Sequence, residues 1–433
     1  MLMSSAQTEV AQRSFARSLP ALSILALAML LGFAAMQSFG TVQEGAKAEM
    51  GLSDYALSLI QGLSAALPLA LFSIPIGILV DRHHRVRIMI ALVGAFVAGT
   101  WATALASGPW MLFVARMLAG VGATGALTAA LSLSADLCAP DQRGRALVIV
   151  GLGKSLGQAA AFGVVGELFG WFVAHPAAFG GIAPWRGSHL ALAALATLLM
   201  VPLFFLREPP RREVATGLHA PFRVVAGALW QRRGFLLPLF LGQVSVVMAD
   251  AAGVIWAAPV LARVFKLQPQ DFAAWMAPLM FVAGTAGAAL GGVSADLGQK
   301  GARRGGLLIG AIVAAAIGIP AALFPIAPSV PAFAVAFGTL ILCGSLTGAA
   351  TSVALTVFIP NELRGLCIGA FLAVAGLIGF GLAPTLVAAT SGLLGGEQHL
   401  AGGLAIVGVA TSVVSLIAFI VAMRRAPIGQ RPI

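Results

Sequence analysis

Apolar residues run for about twenty positions or more without strand-like alternation, stop at a short charged or Gly/Pro-rich turn, and resume, twelve times along the chain. Runs of that length fit helices crossing a hydrocarbon layer about 30 Å thick. The pattern predicts spans over 19–43, 53–80, 88–106, 110–137, 146–173, 188–206, 235–264, 271–295, 305–326, 330–358, 366–389 and 401–423. An even number brings the carboxyl tail back to the side of the amino terminus. The longest polar stretch, Arg207 to Gly234, holds six arginines and Pro209, Pro210 and Pro221. It divides the chain into residues 1–206, a linker over 207–234, and residues 235–433. A plain loop is expected for the linker, with an amphipathic helix over Phe222 to Trp230 as the alternative.

Two turns recur at nearly one offset. Gly77-Ile78-Leu79-Val80-Asp81 is followed 215 residues later by Gly292-Val293-Ser294-Ala295-Asp296. The turn that begins Pro140-Asp141 is followed 220 residues later by Pro360-Asn361. Two independent motifs at similar spacing mark a duplication, so the fold expected is an all-α membrane protein of twelve transmembrane helices in two pseudo-symmetric six-helix bundles. In each copy the glycine is read as allowing close helix packing and the aspartate as marking the wet end of the span.

Composition agrees with lipid as the solvent. Hydrophobic residues make up 59% of the chain and charged residues 9%, against about 25% charged in soluble domains. The formal net charge of +11 invites a nucleic-acid reading until the basic residues are placed. Of 26 lysines and arginines, only Lys47, Arg186, Arg263 and Lys266 fall on the side opposite the amino terminus, and Arg116 and Lys154 fall within spans. That asymmetry is the positive-inside pattern. It puts both termini in the cytoplasm, in a bacterial inner membrane, and removes the case for nucleic acid. Three cysteines, in or beside spans, predict no disulfide framework. No cleavable leader, cofactor, metal or phosphate-binding loop is expected, and a monomer is. An enzyme would need clustered ligands or carboxylates, and only single polar groups occur.

Those single groups are the candidate chemistry. At 1.5 Å per residue, Lys154 lies roughly 12 Å into the layer, with Gln158 one turn on along the same face. A charge at that depth is costly unless it faces water or a partner, so Lys154 is read as a contact for an anionic or strongly polar substrate group. Asp250 lies about 22 Å along the seventh span, with Gln243 on the same face. It is read either as a proton-binding carboxylate or as a fixed partner of Lys154 or Arg116. Arg116, about 9 Å below the end of the fourth span, and Gln37 complete the expected substrate-binding set. Glu44, seven residues after Gln37, is placed at the outer mouth.

Gly77, Leu79, Asp81, Arg82, Arg85 and Arg87 resemble the cytoplasmic signature of the major facilitator superfamily, with His84 in place of its usual glycine. The run from Arg116 to Gly125, Ser134-Ala135-Asp136 and Gly379 to Pro384 are similar to its spinster-like branch. That branch carries a glutamate where this chain has Ala123. The resemblance implies a secondary active transporter working by alternating access, with protons as a candidate coupling ion, for an amphipathic or anionic organic solute. A non-transporting sensor or assembly partner on the same fold is the alternative. It also implies gating roles for Gly77, Asp81, Arg82, Arg85 and Arg87, with Asp81 facing the start of the eleventh span. Asp136, Arg143 and Arg145 are read as a loop cluster sharing that role, and Asp296 and Arg364 as counterparts in the second half.

Overall fold

Lipid offers a backbone no hydrogen-bond partners, so a spanning segment must satisfy its own N–H and C=O groups. The computed structural model describes residues 15–139, 142–211, 227, 229–300, 305–359 and 361–427, without the side chains of 361–366 and 368. Among these residues twelve helices are long and apolar enough to cross a membrane. They are α1 (Phe15–Met50), α2 (Asp54–Arg82), α3 (Arg85–Ala104), α4 (Pro109–Leu137), α5 (Arg143–Ala174) and α6 (Pro184–Phe205) in the first half. The second half has α7 (Arg233–Val264), α8 (Pro269–Lys300), α9 (Gly306–Ile326), α10 (Val330–Phe358), α11 (Gly369–Leu393) and α12 (Glu397–Arg424). A helical lead-in from Asn361 precedes α11. Pro140, Asp141, Pro360, Phe222 and the Arg364 side chain lie outside the described set.

Every expected span is present, and the differences have local causes. The first helix runs on to Met50 because Glu44-Gly45-Ala46-Lys47-Ala48-Glu49-Met50 is rich in strong helix formers. Charge there ends the apolar run but not the helix. Two π-helical stretches, Leu59–Leu63 in α2 and Ala375–Leu382 in α11, were not foreseen. They pack against each other across the molecular midline.

Within the first half α1 packs on α4 and α5, and α3 on α4 and α6. Within the second, α7 packs on α12, and α10 on α8 and α9. The halves meet along α5–α8, α2–α11 and α1–α7. This contact is uneven along the helix axes. Call the end where α1 starts and α12 ends the basic face, and the opposite end the far face. Towards the far face one apolar cluster runs through both halves, from Phe39, Ile60 and Phe162 to Trp256, Phe272 and Met276. Towards the basic face the apolar clusters separate. One holds Phe33, Val80 and Leu133 of the first half, and another Phe235, Leu355 and Phe419 of the second.

Glycines report the same asymmetry. A Cβ on Gly166 of α5 would stand 2.7 Å from the Pro269 carbonyl of α8, and one on Gly62 of α2 would stand 2.5 Å from the Phe380 carbonyl of α11. The repeated glycines near the basic face differ: a Cβ on Gly77 or Gly292 would meet nothing within 4 Å. Their reading as close-packing positions is therefore corrected, because the halves stand apart where these residues sit. The molecule is shut at the far face and parted at the basic face.

Valine at position 166 would wedge α5 from α8. Attack on an Ala258→Cys thiol by a membrane-impermeant reagent applied at the far face is expected to rise several-fold in Gly166→Val. The three native cysteines are buried and should contribute little background labelling.

Candidate functional site

Between the halves, midway along the helices, lies a cavity of about 260 Å3. Gln37 of α1, Gln61 of α2, Ser155 and Gln158 of α5, Asp250 of α7 and Ser345 of α10 supply its polar groups. Met36, Met280 and Phe380 supply apolar surface. Of the side chains expected at a binding site, Gln37, Gln158 and Asp250 are brought together here. The Gln37 Oε1 is buried with no hydrogen-bond partner among the described residues, an orphaned acceptor that a ligand donor would satisfy.

Asp250 also lines a second, smaller chamber inside the second half, with Thr347, Ser412 and Ser415. Its Oδ1 is buried without a hydrogen bond among the described residues, as is the Ser415 hydroxyl. The carboxylate occupies the space where a Cβ on Gly344 of α10 would stand. No ion pair joins Asp250 to Lys154 or to Arg116 in this structure. The fixed pairing considered from sequence is therefore not formed.

The other three expected binding residues sit elsewhere. Gly153 and Gly157 bring α5 flush against the α1 backbone at Ala26 and Leu30. The Lys154 ammonium lies 5.2 Å over the Phe33 ring of α1, a cation–π contact in place of a carboxylate. Arg116 is 4% exposed. Its guanidinium donates to the Ala35 carbonyl at 2.8 Å and to the Met36 carbonyl, beside the Phe39 ring at 5.6 Å. It ties α4 to α1. The Gln243 side-chain oxygen accepts from the Thr351 hydroxyl at 3.0 Å, joining α7 to α10 inside the second half.

Above the cavity, towards the far face, the halves are locked by polar contacts that sequence reasoning missed. Gln61 Nε2 donates to Gln43 Oε1 at 3.4 Å, and Gln43 Nε2 donates across to the Ile255 carbonyl of α7 at 2.6 Å. About two turns further along α7, Arg263 donates to both oxygens of Glu44, at 2.7 and 3.1 Å, and to both of Asp54, at 2.6 and 2.7 Å. Lys47 pairs with Asp54 at 2.5 Å and also with Glu397 at the start of α12. Glu397 in turn accepts from the Asp54 backbone N–H at 2.6 Å. Three carboxylates and two cations thus bind α1 and α2 to α7 and α12. Glu44 had been placed at this mouth; Arg263, Lys47, Asp54 and Glu397 carried no motif that would have joined them.

At the basic face the charges act within the first half. Arg85, 2% exposed, donates to Asp136 at 2.5 Å, to Glu208 at 2.8 Å and to the Pro209 carbonyl at 2.9 Å. It fastens the start of α3 to the end of α4 and to the segment after α6. Arg143 donates to the Ala135 carbonyl at 3.0 Å. Arg82, Arg87, Arg145, Asp81 and Asp296 are exposed, and the Asp81 carboxylate makes no ion pair among the described residues. Arg211 instead donates to the Asp81 backbone carbonyl.

The chain belongs to the Major Facilitator Superfamily, whose profile matches residues 25–384. A glucose transport protein of Synechocystis sp. is 29% identical over 204 residues, 44% of this chain and 42% of that protein. The 3-(3-hydroxy-phenyl)propionate transporter of Escherichia coli is 30% identical over 219 residues, 45% of this chain and 50% of that one. The matched region thus spans half or less of each curated relative. The crystal structure of a bacterial homolog of the human lysosomal transporter Spinster, inward-facing and unoccupied, superposes with a TM-score of 0.76. It is 23% identical and covers 93% of this chain and 96% of that one. This likeness shows a shared fold.

Removing Arg263 leaves Asp54, 3% exposed in its side chain, with Lys47 alone. Arg263→Gln is expected to destabilise the far-shut form by about 3 kcal/mol, within the range for a broken buried pair, read as a lower melting temperature and faster labelling of Ala258→Cys. Glu208 gives a pH test. Burial alone raises its carboxyl, but hydrogen bonds from Arg85 and the Val86 N–H outweigh it and hold the carboxyl below the usual range. A depressed folded value means stability present above the unfolded value, about 4.3, and lost as pH falls through the folded one. Glu208→Gln should therefore melt below wild type at pH 7, by about 1–3 kcal/mol, with the gap narrowing below about pH 4.

Proposed function

We propose that the chain is a secondary active transporter that carries a small organic solute by alternating access. Residues 1–206 and 235–433 move against each other, joined by 207–234. One observation carries the reading: a cavity midway along the helices, shut by polar locks at one face while the halves part at the other. The excess of arginine supports a cytoplasmic basic face, and on that reading the form described here is inward-facing. The reverse form would part at the Arg263 cluster and bring together the surfaces around Gly77, Asp81, Gly292 and Asp296. Asp81 would then face the start of α11, the role that the family resemblance implies for it.

The cavity lining suggests the substrate class. Three amides and two hydroxyls face thioether and aromatic surface, which suits a molecule with an apolar body and a hydrogen-bonding end. A volume of about 260 Å3 is near the lower edge of ligand pockets, roughly 300 Å3, and favours a compact solute over a whole lipid. The aromatic acid named for the Escherichia coli relative is of this kind. Asp250 is the coupling candidate, because its carboxylate stands between the central cavity and the inner chamber with no fixed counter-charge among the described residues. A proton taken up from one side and released to the other would neutralise it during passage through the layer.

The test begins with a thermal-stability screen of aromatic acids, sugars and amphipathic amines. A ligand that stabilises wild type should bind Gln158→Leu about tenfold more weakly, the loss of one hydrogen bond to a buried partner. In proteoliposomes, Asp250→Asn should still exchange that ligand at equal pH but lose acceleration by an imposed pH gradient. Full retention of the gradient response would remove Asp250 from the coupling role.

A further inference from the structure

A groove of about 510 Å3 opens on the outer surface of the second half, between α7 and α12 at the basic face. Its floor is apolar and turned outward: Leu237 and Leu241 of α7 and Ile417 of α12 are each more than half exposed, with Val414 beside them. Its mouth carries Arg233 at the start of α7 and Arg425 just beyond the end of α12. No acidic side chain lines it among the described residues. Arg233 donates to the Trp230 carbonyl at 3.2 Å and its guanidinium lies 5.3 Å over the Trp230 ring. Trp230 is itself 63% exposed. A tryptophan ring and arginines at one level mark the headgroup region. From Arg233 to Leu241 the helix descends roughly 12 Å, nearly the depth of one leaflet in a layer about 30 Å thick.

We propose that this groove binds one anionic phospholipid, with its phosphate between Arg233 and Arg425 and an acyl chain along Leu237, Leu241, Val414 and Ile417. Two cations without a carboxylate favour a headgroup of net negative charge over a zwitterionic one. The apolar floor distinguishes a lipid from a free phosphate, which would gain nothing from it. The groove lies on the outside of the bundle, away from the central cavity. Its occupant also joins α7, which bears Asp250 and Arg263, to α12 at the face where the halves part.

Native mass spectrometry of the purified full chain, released from nanodiscs of equal dioleoyl phosphatidylglycerol and dioleoyl phosphatidylcholine, tests the site. Wild type should retain one phosphatidylglycerol in at least tenfold preference. Arg233→Gln and Arg425→Gln should each cut that preference about fivefold, and the pair should bring it near parity. Arg424→Gln removes the same charge from the same helix end outside the groove and should keep the preference. Leu241→Trp fills the floor and should lose the lipid with both arginines in place. Equal retention of the two lipids by wild type overturns the proposal, and so does an Arg424→Gln loss as large as that of Arg233→Gln. Full retention by Leu241→Trp, or displacement by millimolar glycerol 3-phosphate, overturns the acyl-chain part and reduces the site to an anion contact.

Discussion

Arg263 enters a space bounded by Glu44 and Asp54 and satisfies four carboxylate oxygens from one guanidinium. The rest of the described conformation follows from this. A guanidinium offers donors in a planar fork that matches carboxylates two at a time, so α7 is fixed in both distance and rotation against α1 and α2. Once that distance is set, Gly62, Gly163 and Gly166 must face backbone or small side chains across the midline, because nothing larger fits. The same approach lets Gln43 reach the Ile255 carbonyl. Helices pinned together at one end and carrying no matching contact at the other must splay, which is the wedge seen at the basic face.

α7 is where closure and cavity chemistry meet. Thirteen residues, roughly 20 Å of helix, separate Arg263, which reaches the first half, from Asp250, whose carboxylate packs against Gly344 of α10 at the edge of the central cavity. A change of charge at Asp250 is thus made on the rod whose outer end is held by the lock. Arg116 and Lys154, two buried basic residues of the first half, are absorbed by α1 through backbone carbonyls and through the Phe33 ring. They stiffen the first half as a unit. The pattern is one rigid bundle with its charges internally satisfied, facing a helix whose single carboxylate is not.

The fold was largely legible in the sequence because lipid forces it: twenty apolar residues between charged turns have one stable backbone solution, and the duplication gave the grouping of helices. Gln37, Gln158 and Asp250 were legible for the same reason, as polar groups at depths where they needed a destination. Depth alone does not give azimuth, and this explains Lys154, Arg116 and Gln243. Each is as deep as expected, but a rotation of the helix turns it to a neighbour instead of the cavity. The far-face lock was not legible because Lys47 and Asp54, Arg263, and Glu397 flank three separate turns and resemble solvated loop charges until tertiary structure gathers them. Arg85 was grouped with Asp81, Arg82 and Arg87 by the signature, and nothing in that pattern distinguishes it as the buried member, held by Glu208 from 123 residues away. The paired π-helical stretches have no compositional mark, since an added residue in a helical turn changes register and not chemistry.

The carboxylate of Asp250 occupies the volume that any side chain at position 344 would need. These two positions, on different helices and 94 residues apart, therefore form one heritable unit. A lineage that acquires even a methyl group at 344 must shed or relocate the acid at 250, and one that has lost the acid is free to fill 344. Paired drift at these sites would divide descendants of this chain into acid-bearing and acid-free carriers by a single glance at two columns.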